Sequence, residues 1–196
     1  MKLLDPSKLA KLFWPDVVFY DKQVDIIYSM VDNDETFVPA GNMLGKDFVA
    51  GFVVLWIFIS ALKLGQTCRV VTTSVKDDHL RVLWGEISRF IKDAKYPLVD
   101  KDGGPFIFNH RDIRRASEGI QGYSYLRGMV SEKGEGMAGH HADVAVGIID
   151  EASGVDDLVY TQMDTWAKRK LIFGNTNPCE NFFRKGIKAG DLMEKV

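Results

Sequence analysis

Apolar residues recur at intervals of three and four through the opening stretch: Leu9, Leu12 and Phe13, then Val24, Ile26, Ile27 and Met30. That period predicts helix to about Asp34, and Pro15 divides it into two pieces. Thr36-Phe37-Val38-Pro39-Ala40 is a short strand-like run ending in a loop from Gly41 to Gly45. From Phe48 to Leu62 the chain is almost wholly apolar. This run falls short of the roughly 20 residues that a bilayer span needs, so it is expected to be a helix buried between a sheet and other helices. Cys68 to Thr73 is rich in β-formers, and an amphipathic helix with Leu80, Leu83, Trp84, Ile87 and Ile91 on one face should follow from about Lys76 to Lys92.

Beyond the turn Asp102-Gly103-Gly104-Pro105 come Phe106-Ile107-Phe108, a basic segment, and Tyr123-Ser124-Tyr125-Leu126. The Gly-rich stretch Glu132 to Gly139 is expected to be a mobile loop. Val144 to Ile149 is a continuous apolar run, the pattern of a strand covered on both faces. A helix from about Asp156 to Trp166 and a strand Lys170 to Phe173 complete the pattern. Strands alternating with helices predict an α/β fold, a mostly parallel central sheet flanked by helices on both faces.

Composition adds bounds rather than direction. The 196 residues, 46% hydrophobic and 27% charged, suit one globular domain. A formal net charge of −2 gives no global pull toward polyanions, so any such contact must be local. The two cysteines, Cys68 and Cys179, and the pair His140-His141 stand in no zinc-ligand spacing, and the cysteines are expected to be buried, reduced thiols. The N-terminus lacks an apolar core of signal-peptide length.

Candidate chemistry lies at the ends of two strands. A phosphate-binding loop needs glycines that let backbone N–H groups turn inward, a lysine that reaches the β- and γ-phosphates, and a following helix whose N-terminus favours an anion. Ala40-Gly41-Asn42-Met43-Leu44-Gly45-Lys46-Asp47 offers these between a strand and a helix. Ala40 replaces the first glycine of the usual pattern, with Gly41 adjacent. Asp47 stands where a Ser or Thr would place a hydroxyl on Mg²⁺; its carboxylate can bind the metal but adds negative charge beside a triphosphate. Ile148-Ile149-Asp150-Glu151 puts two acids at the C-terminal end of a buried strand, the edge where open α/β sheets bind ligands. Asp150 suits Mg²⁺, and Glu151 suits activation of the attacking water.

With these motifs in order, the chain resembles the N-terminal ATPase domain of the large terminase subunit of tailed phages, a P-loop NTPase of the ASCE (additional strand, catalytic glutamate) type that packages DNA. Phe19-Tyr20-Asp21-Lys22-Gln23 resembles the family's upstream glutamine motif, with Gln23 reading the adenine edge. Gly41 to Asp47 resembles its often deviant Walker A loop and Val146 to Glu151 its Walker B strand. Gly174-Asn175-Thr176-Asn177-Pro178 resembles the coupling motif, with Asn175 beside the γ-phosphate; a plain turn has the same composition. Thr72-Thr73-Ser74 resembles a motif after the second strand, in a composition too common to carry weight. Arg127 resembles an arginine sent into a neighbouring subunit's site, with Arg111, Arg114 and Arg115 as competitors.

The resemblance implies ATP and Mg²⁺ as cofactors. It further implies double-stranded DNA, a pentameric ring of subunits on a portal protein, and a small terminase subunit as partners, in the host cytoplasm and away from membranes. One domain spanning 1–196 is expected, residues 1–35 forming a helical segment with the glutamine motif. The family's C-terminal nuclease domain does not fit in this length, so no cleavage activity is expected of these residues. From Lys168 onward, seven basic residues (Lys168, Arg169, Lys170, Arg184, Lys185, Lys188, Lys195) against three acids (Glu180, Asp191, Glu194) could track a phosphate backbone or form a solvated tail. Two other classes fit the residues less well. Many helicases continue Asp-Glu with Ala-Asp or Ala-His, where this chain has Ala152-Ser153; an assembly module without turnover would draw on the departures at Ala40 and Asp47.

Overall fold

The apolar run becomes the centre of the molecule. In a computed structural model describing residues 2–41, 45–118, 123–130 and 136–193, it forms helix α3, Lys46–Lys63, in which every residue from Val49 to Ala61 is buried. At about 2 kcal/mol for each buried Val, Leu, Ile or Phe, this helix is a principal source of stability. No described helix is long and apolar enough to cross a membrane.

Ahead of α3 lie α1 (Pro6–Phe13), α2 (Asp21–Asp32) and strand β1 (Glu35–Pro39). Asp5 caps α1 by accepting from the Lys8 N–H at 2.9 Å, and Pro6 takes the first helical position, where its missing N–H costs nothing. After α3 come β2 (Cys68–Ser74), α4 (Asp77–Asp93), β3 (Phe106–Asn109), β4 (Asp112–Arg115) and β5 (Tyr125–Val130). Then follow β6 (Val144–Asp150), α5 (Asp157–Asp164), β7 (Arg169–Gly174) and α6 (Phe182–Met193).

The seven strands form one sheet in the order β1-β7-β6-β2-β5-β4-β3. The run from β1 to β5 is parallel, and the β5-β4-β3 end is antiparallel. Strand β7 thus separates the strand before the glycine loop from the strand bearing the two acids. Helices α1 to α4 pack on one face with Cys68, Val70, Val144, Val146 and Ile148. Helices α5 and α6 cover the other face through Val159, Met163, Phe182 and Phe183, against Val71, Ala145, Ile149 and Ile172. Indole donors stitch the first layer: Trp14 Nε1 donates to the Phe90 carbonyl at 2.7 Å and Trp56 Nε1 to the Leu4 carbonyl at 2.8 Å.

Several segments differ from expectation. The basic segment after Phe108 is strand β4, whose only buried residue is Ile113; pairing with β3 and β5, rather than its own alternation, makes it a strand. Strand β5 begins later than Tyr123 and runs through Arg127 to Val130. Residues 131–135 of the Gly-rich loop lie outside the described residues. Its remainder is anchored, because Met137 is buried and its carbonyl accepts from Trp166 Nε1. As far as Met193, the C-terminal segment is no free tail. It forms α6, started by the Asp157 carboxylate accepting from the Phe182 N–H at 2.7 Å and by Tyr160 stacking on Phe182 at 4.6 Å.

Close approach governs Gly128 in β5, as it does Gly147 in β6 and Gly174 in β7. A Cβ at Gly128 would meet Trp84 Nε1 at 2.4 Å, and that indole donates to the Thr72 hydroxyl at 2.9 Å. Gly128→Ala should therefore destabilise the fold by about 1–3 kcal/mol in chemical denaturation. Gly85→Ala, on the exposed face of α4 with open space around it, should stabilise by about 0.5–1 kcal/mol. Equal effects of the two substitutions would contradict the packing described.

Candidate nucleotide site

Lys46 is the first residue of α3, and its burial as a charged group has to be offset. The ammonium lies against two carboxylates at the end of β6, hydrogen-bonded to Glu151 Oε1 and 3.2 Å from Asp150 Oδ1. Burial opposes its charge, but the Glu151 hydrogen bond and the Asp150 field outweigh that, and its pKa lies above the ordinary lysine value. Asp150 is 3% exposed. Burial pushes its carboxyl up, and Lys46 only partly offsets this.

Glu151 leaves the strand in a left-handed conformation, φ 52 and ψ 43, which a non-glycine residue adopts at a cost of about 1 kcal/mol or more. That turn aims the carboxylate back across the sheet edge. Oε1 takes Lys46, and Oε2 accepts from Asn175 Nδ2 at 3.2 Å, from the loop after β7. Strand order explains the meeting: β7 lies beside β6, so the residue after Gly174 reaches the residue after Asp150.

Asp47, next on α3, belongs to the same cluster. Burial and then the Asp150 charge raise its carboxyl to about 6, against 3.8 ordinarily. Gly41 lies just outside β1, exposed, while the Ala40 N–H donates to the Gly174 carbonyl at 3.0 Å. Asn42, Met43 and Leu44 lie outside the described residues. Gly45 has φ 72, a conformation that favours glycine, and α3 has no side-chain cap. The N-cap residue thus takes up none of the first N–H groups of α3, and apart from the Asp47 N–H, which its own carboxyl engages, these can face an anion.

Gln23, 5% exposed, packs directly on that turn: a Cβ at Gly45 would stand 2.9 Å from Gln23 Nε2 and 3.5 Å from the Tyr20 hydroxyl. Gln23 Oε1 accepts from the Tyr20 N–H at 3.4 Å. The glutamine thus lies against the loop that leads to Lys46. Tyr20 shares this place and was not singled out as a site residue, although it sits inside the glutamine motif.

The structure does not bring Arg127 to this cluster. It projects from the β5 face that carries Tyr125, opposite α3, bonded to Asp112 at 2.8 Å with its guanidinium 4.6 Å above the Tyr125 ring. Its competitors are also engaged, Arg111 with Asp77 at 2.6 Å and Arg114 with Asp112 at 2.5 Å; Arg115 is 3.8 Å from Glu118. Nor do the C-terminal basic residues form one surface. Lys170 is buried between Glu35 and Asp164, Arg169 donates to the Met30 carbonyl, and Arg184 and Lys185 face Glu180 and Asp157. Lys195 lies outside the described residues. Cys68 is buried, its thiol raised by that burial, and Cys179 is half-buried; neither is in a disulfide.

A glycine turn and lysine opening a helix, with an Asp-Glu pair two strands away across an intervening strand, define a P-loop NTPase fold. The sequence matches no family model, and no curated protein matches it. Solved structures do. The large terminase ATPase domain of Thermus phage P74-26 superposes with a TM-score of 0.66 at 14% identity, over 94% of this chain and 74% of that one. An arginine-to-alanine variant of the same domain gives 0.64 at 16%, over 91% and 72%. The large terminase of bacteriophage HK97 gives 0.63 at 14%, over 94% of this chain and 39% of that longer one. The fold is that of terminase ATPase domains, and the resemblance seen in the motifs holds at the level of the fold.

Asp47 carries a consequence for stability. Because its folded pKa of about 6 exceeds the ordinary 3.8, the folded chain holds the proton more tightly, and stability falls as pH rises from about 4 through 6. Asp47→Asn should raise stability at pH 7.5 by about 1–2 kcal/mol once solvent screening at this half-buried position is allowed for. The gain should vanish near pH 4. Denaturation curves at the two pH values check this, and an equal gain at both would refute it.

Proposed function

We propose that this chain is an Mg²⁺-dependent ATPase that drives double-stranded DNA into a viral procapsid, as the ATPase part of a large terminase. The observation that carries the ATPase reading is the convergence of Lys46, Asp150, Glu151 and Asn175 at one sheet edge. The fold shared with terminase ATPase domains supports the packaging role. The ring on a portal, the small terminase subunit and the host-cytoplasmic setting belong to the same proposal.

The residues present suit the nucleotide and its metal. Asp150 Oδ1 is buried and held by an ion-pair contact rather than an aligned hydrogen bond, which leaves it lone pairs to offer. Among the described residues no three His, Cys, Asp or Glu side chains form a metal cage. That fits Mg²⁺ held by one or two carboxylates with nucleotide phosphates and water completing its shell. Bound there, the metal would neutralise charge on the phosphates. Asp150 and Asp47 are the carboxylates that would hold it, and Gln23, packed on the Gly45 turn, would link adenine recognition to the loop.

Lys46 and Glu151 hold each other in this structure, so a γ-phosphate at Lys46 competes with Glu151 for the ammonium. Released on one oxygen, Glu151 keeps the Asn175 hydrogen bond on the other. It is then oriented to accept a proton from the attacking water. Asn175, at the end of β7, registers whether Glu151 is engaged. The reading therefore makes base availability depend on phosphate occupancy.

ATP turnover tests this. Glu151→Gln should lower kcat by about 10²–10⁴-fold while retaining nucleotide binding, and Lys46→Ala should lower it by about 10²-fold or more. Wild-type turnover no higher than that of these variants, over a wide range of protein concentration, would end the ATPase reading for this chain. Arg127, remote from its own site, can act only in a neighbour's after leaving Asp112. Specific activity should then rise with protein concentration, and Arg127→Ala should abolish that rise without loss of nucleotide binding. An unchanged concentration dependence would remove Arg127 from the site.

A further inference from the structure

Two hydroxyls lie on one face of β2, and their environments differ. Thr72 is buried and satisfied, accepting from Trp84 Nε1 at 2.9 Å. Ser74, the last residue of the strand, is 1% exposed, and its Oγ has no hydrogen-bond partner among the described residues. A buried hydroxyl without a partner costs about 1–3 kcal/mol, so its presence calls for an explanation.

Register supplies one. Ser74 is paired with Asp150 across the parallel β2-β6 ladder, and paired residues of parallel strands project to the same face. That face is the one covered by α3 and α4, since Cys68 and Val70 of β2 and Val144, Val146 and Ile148 of β6 join its core. Lys46 reaches Asp150 from there. Thr73, whose Oγ1 also has no partner among the described residues, pairs with Ile149 and projects to the opposite face, so it cannot serve the same site. On this face, and among the described residues, the partnerless Ser74 hydroxyl thus stands at the register position of Asp150, whose Oδ1 has only the Lys46 ion pair.

From this we infer that Ser74 supplies the metal-binding hydroxyl that the Walker A loop of this chain lacks, taking the place of a Ser or Thr at position 47. A neutral oxygen ligand suits Mg²⁺, and unlike Asp47 it adds no negative charge beside the phosphates. The inference rests on the ATPase reading above and names a metal ligand for the same site.

Binding of Mn²⁺, followed by its electron paramagnetic resonance, with the non-hydrolysable analogue adenylyl imidodiphosphate tests it on the whole chain. Metal-free binding of the analogue is measured in parallel. Ser74→Ala should weaken Mn²⁺ binding in the ternary complex by about 10–100-fold and leave metal-free analogue binding within about twofold, less than a lost phosphate contact would cost. Ser74→Cys, nearly isosteric, should shift the metal preference from Mg²⁺ toward the thiophilic Cd²⁺. Undiminished Mn²⁺ binding in Ser74→Ala would overturn the inference while leaving the ATPase reading intact. Equal loss of metal-free and metal-dependent binding, or a Ser74→Cys protein without a Cd²⁺ shift, would overturn it in favour of a purely structural hydroxyl. A wild-type chain that binds no analogue under either condition would sink the ATPase reading and this inference together.

Discussion

A lysine ammonium placed at the base of a fully buried helix needs carboxylates within reach, and the sheet is arranged to provide them. Helix α3 cannot slide or rotate cheaply, because apolar residues cover it from Val49 to Ala61 on every side. Its first residue, Lys46, is therefore delivered to a fixed point at the sheet edge. An unpaired charge there would cost several kcal/mol. Asp150 and Glu151 offset that cost, and Lys46 in turn offsets part of the burial and repulsion on Asp150. Neither the lysine nor the acid pair is stable at this place alone, so one interaction serves both folding and site assembly.

Strand order decides what else can join that interaction. Because β7 lies between β1 and β6, the glycine loop after β1 and the acids after β6 leave the sheet edge on either side of one intervening strand, about 9–10 Å apart. The loop after β7 emerges inside that gap, which is how Asn175 comes to hold Glu151. The left-handed backbone at Glu151 completes the arrangement. An extended residue would continue the alternation of β6, and the strained one turns its carboxylate toward both partners.

Where a single element carries its own pattern, the sequence showed it. The apolar run of α3, the amphipathic face of α4 and the continuous apolar run of β6 each announce their place through periodicity. The acid pair and Gly45-Lys46 are legible for the same reason, since each sits directly at the end of such a run. Elements that exist through their partners were not legible. Asp112-Ile113-Arg114-Arg115 has one apolar residue, and its strand character comes from the neighbours on either side. Helix α6 was hidden in a basic segment whose apolar residues, Phe182 and Phe183, find their surface only once α5 and the second face of the sheet exist. For Arg127, sequence order carries no sheet face; its register beside Asp112 shows that it turns away from its own chain's cluster, which leaves only a neighbour's site for the role the motif suggests. Ser74 was discounted because a serine after a strand is common, and only burial without a partner separates it from the rest.

On the proposed ATPase reading, charge balance within the site makes the metal a requirement and not an accessory. One ammonium, Lys46, faces three carboxyl groups, Asp47, Asp150 and Glu151, so with all four ionised the cluster carries a net negative charge before any nucleotide arrives. A triphosphate entering such a site is repelled, and in a setting as buried as Asp150 that repulsion is screened far less than in water. A hydroxyl residue at position 47 would have spared the site one of those charges. On that reading the excess would be met by a divalent cation entering with the phosphates, helped by the raised proton affinity of Asp47. A chain with this cluster should therefore depend on the metal for nucleotide affinity itself, more steeply than a P-loop protein whose loop ends in Ser or Thr.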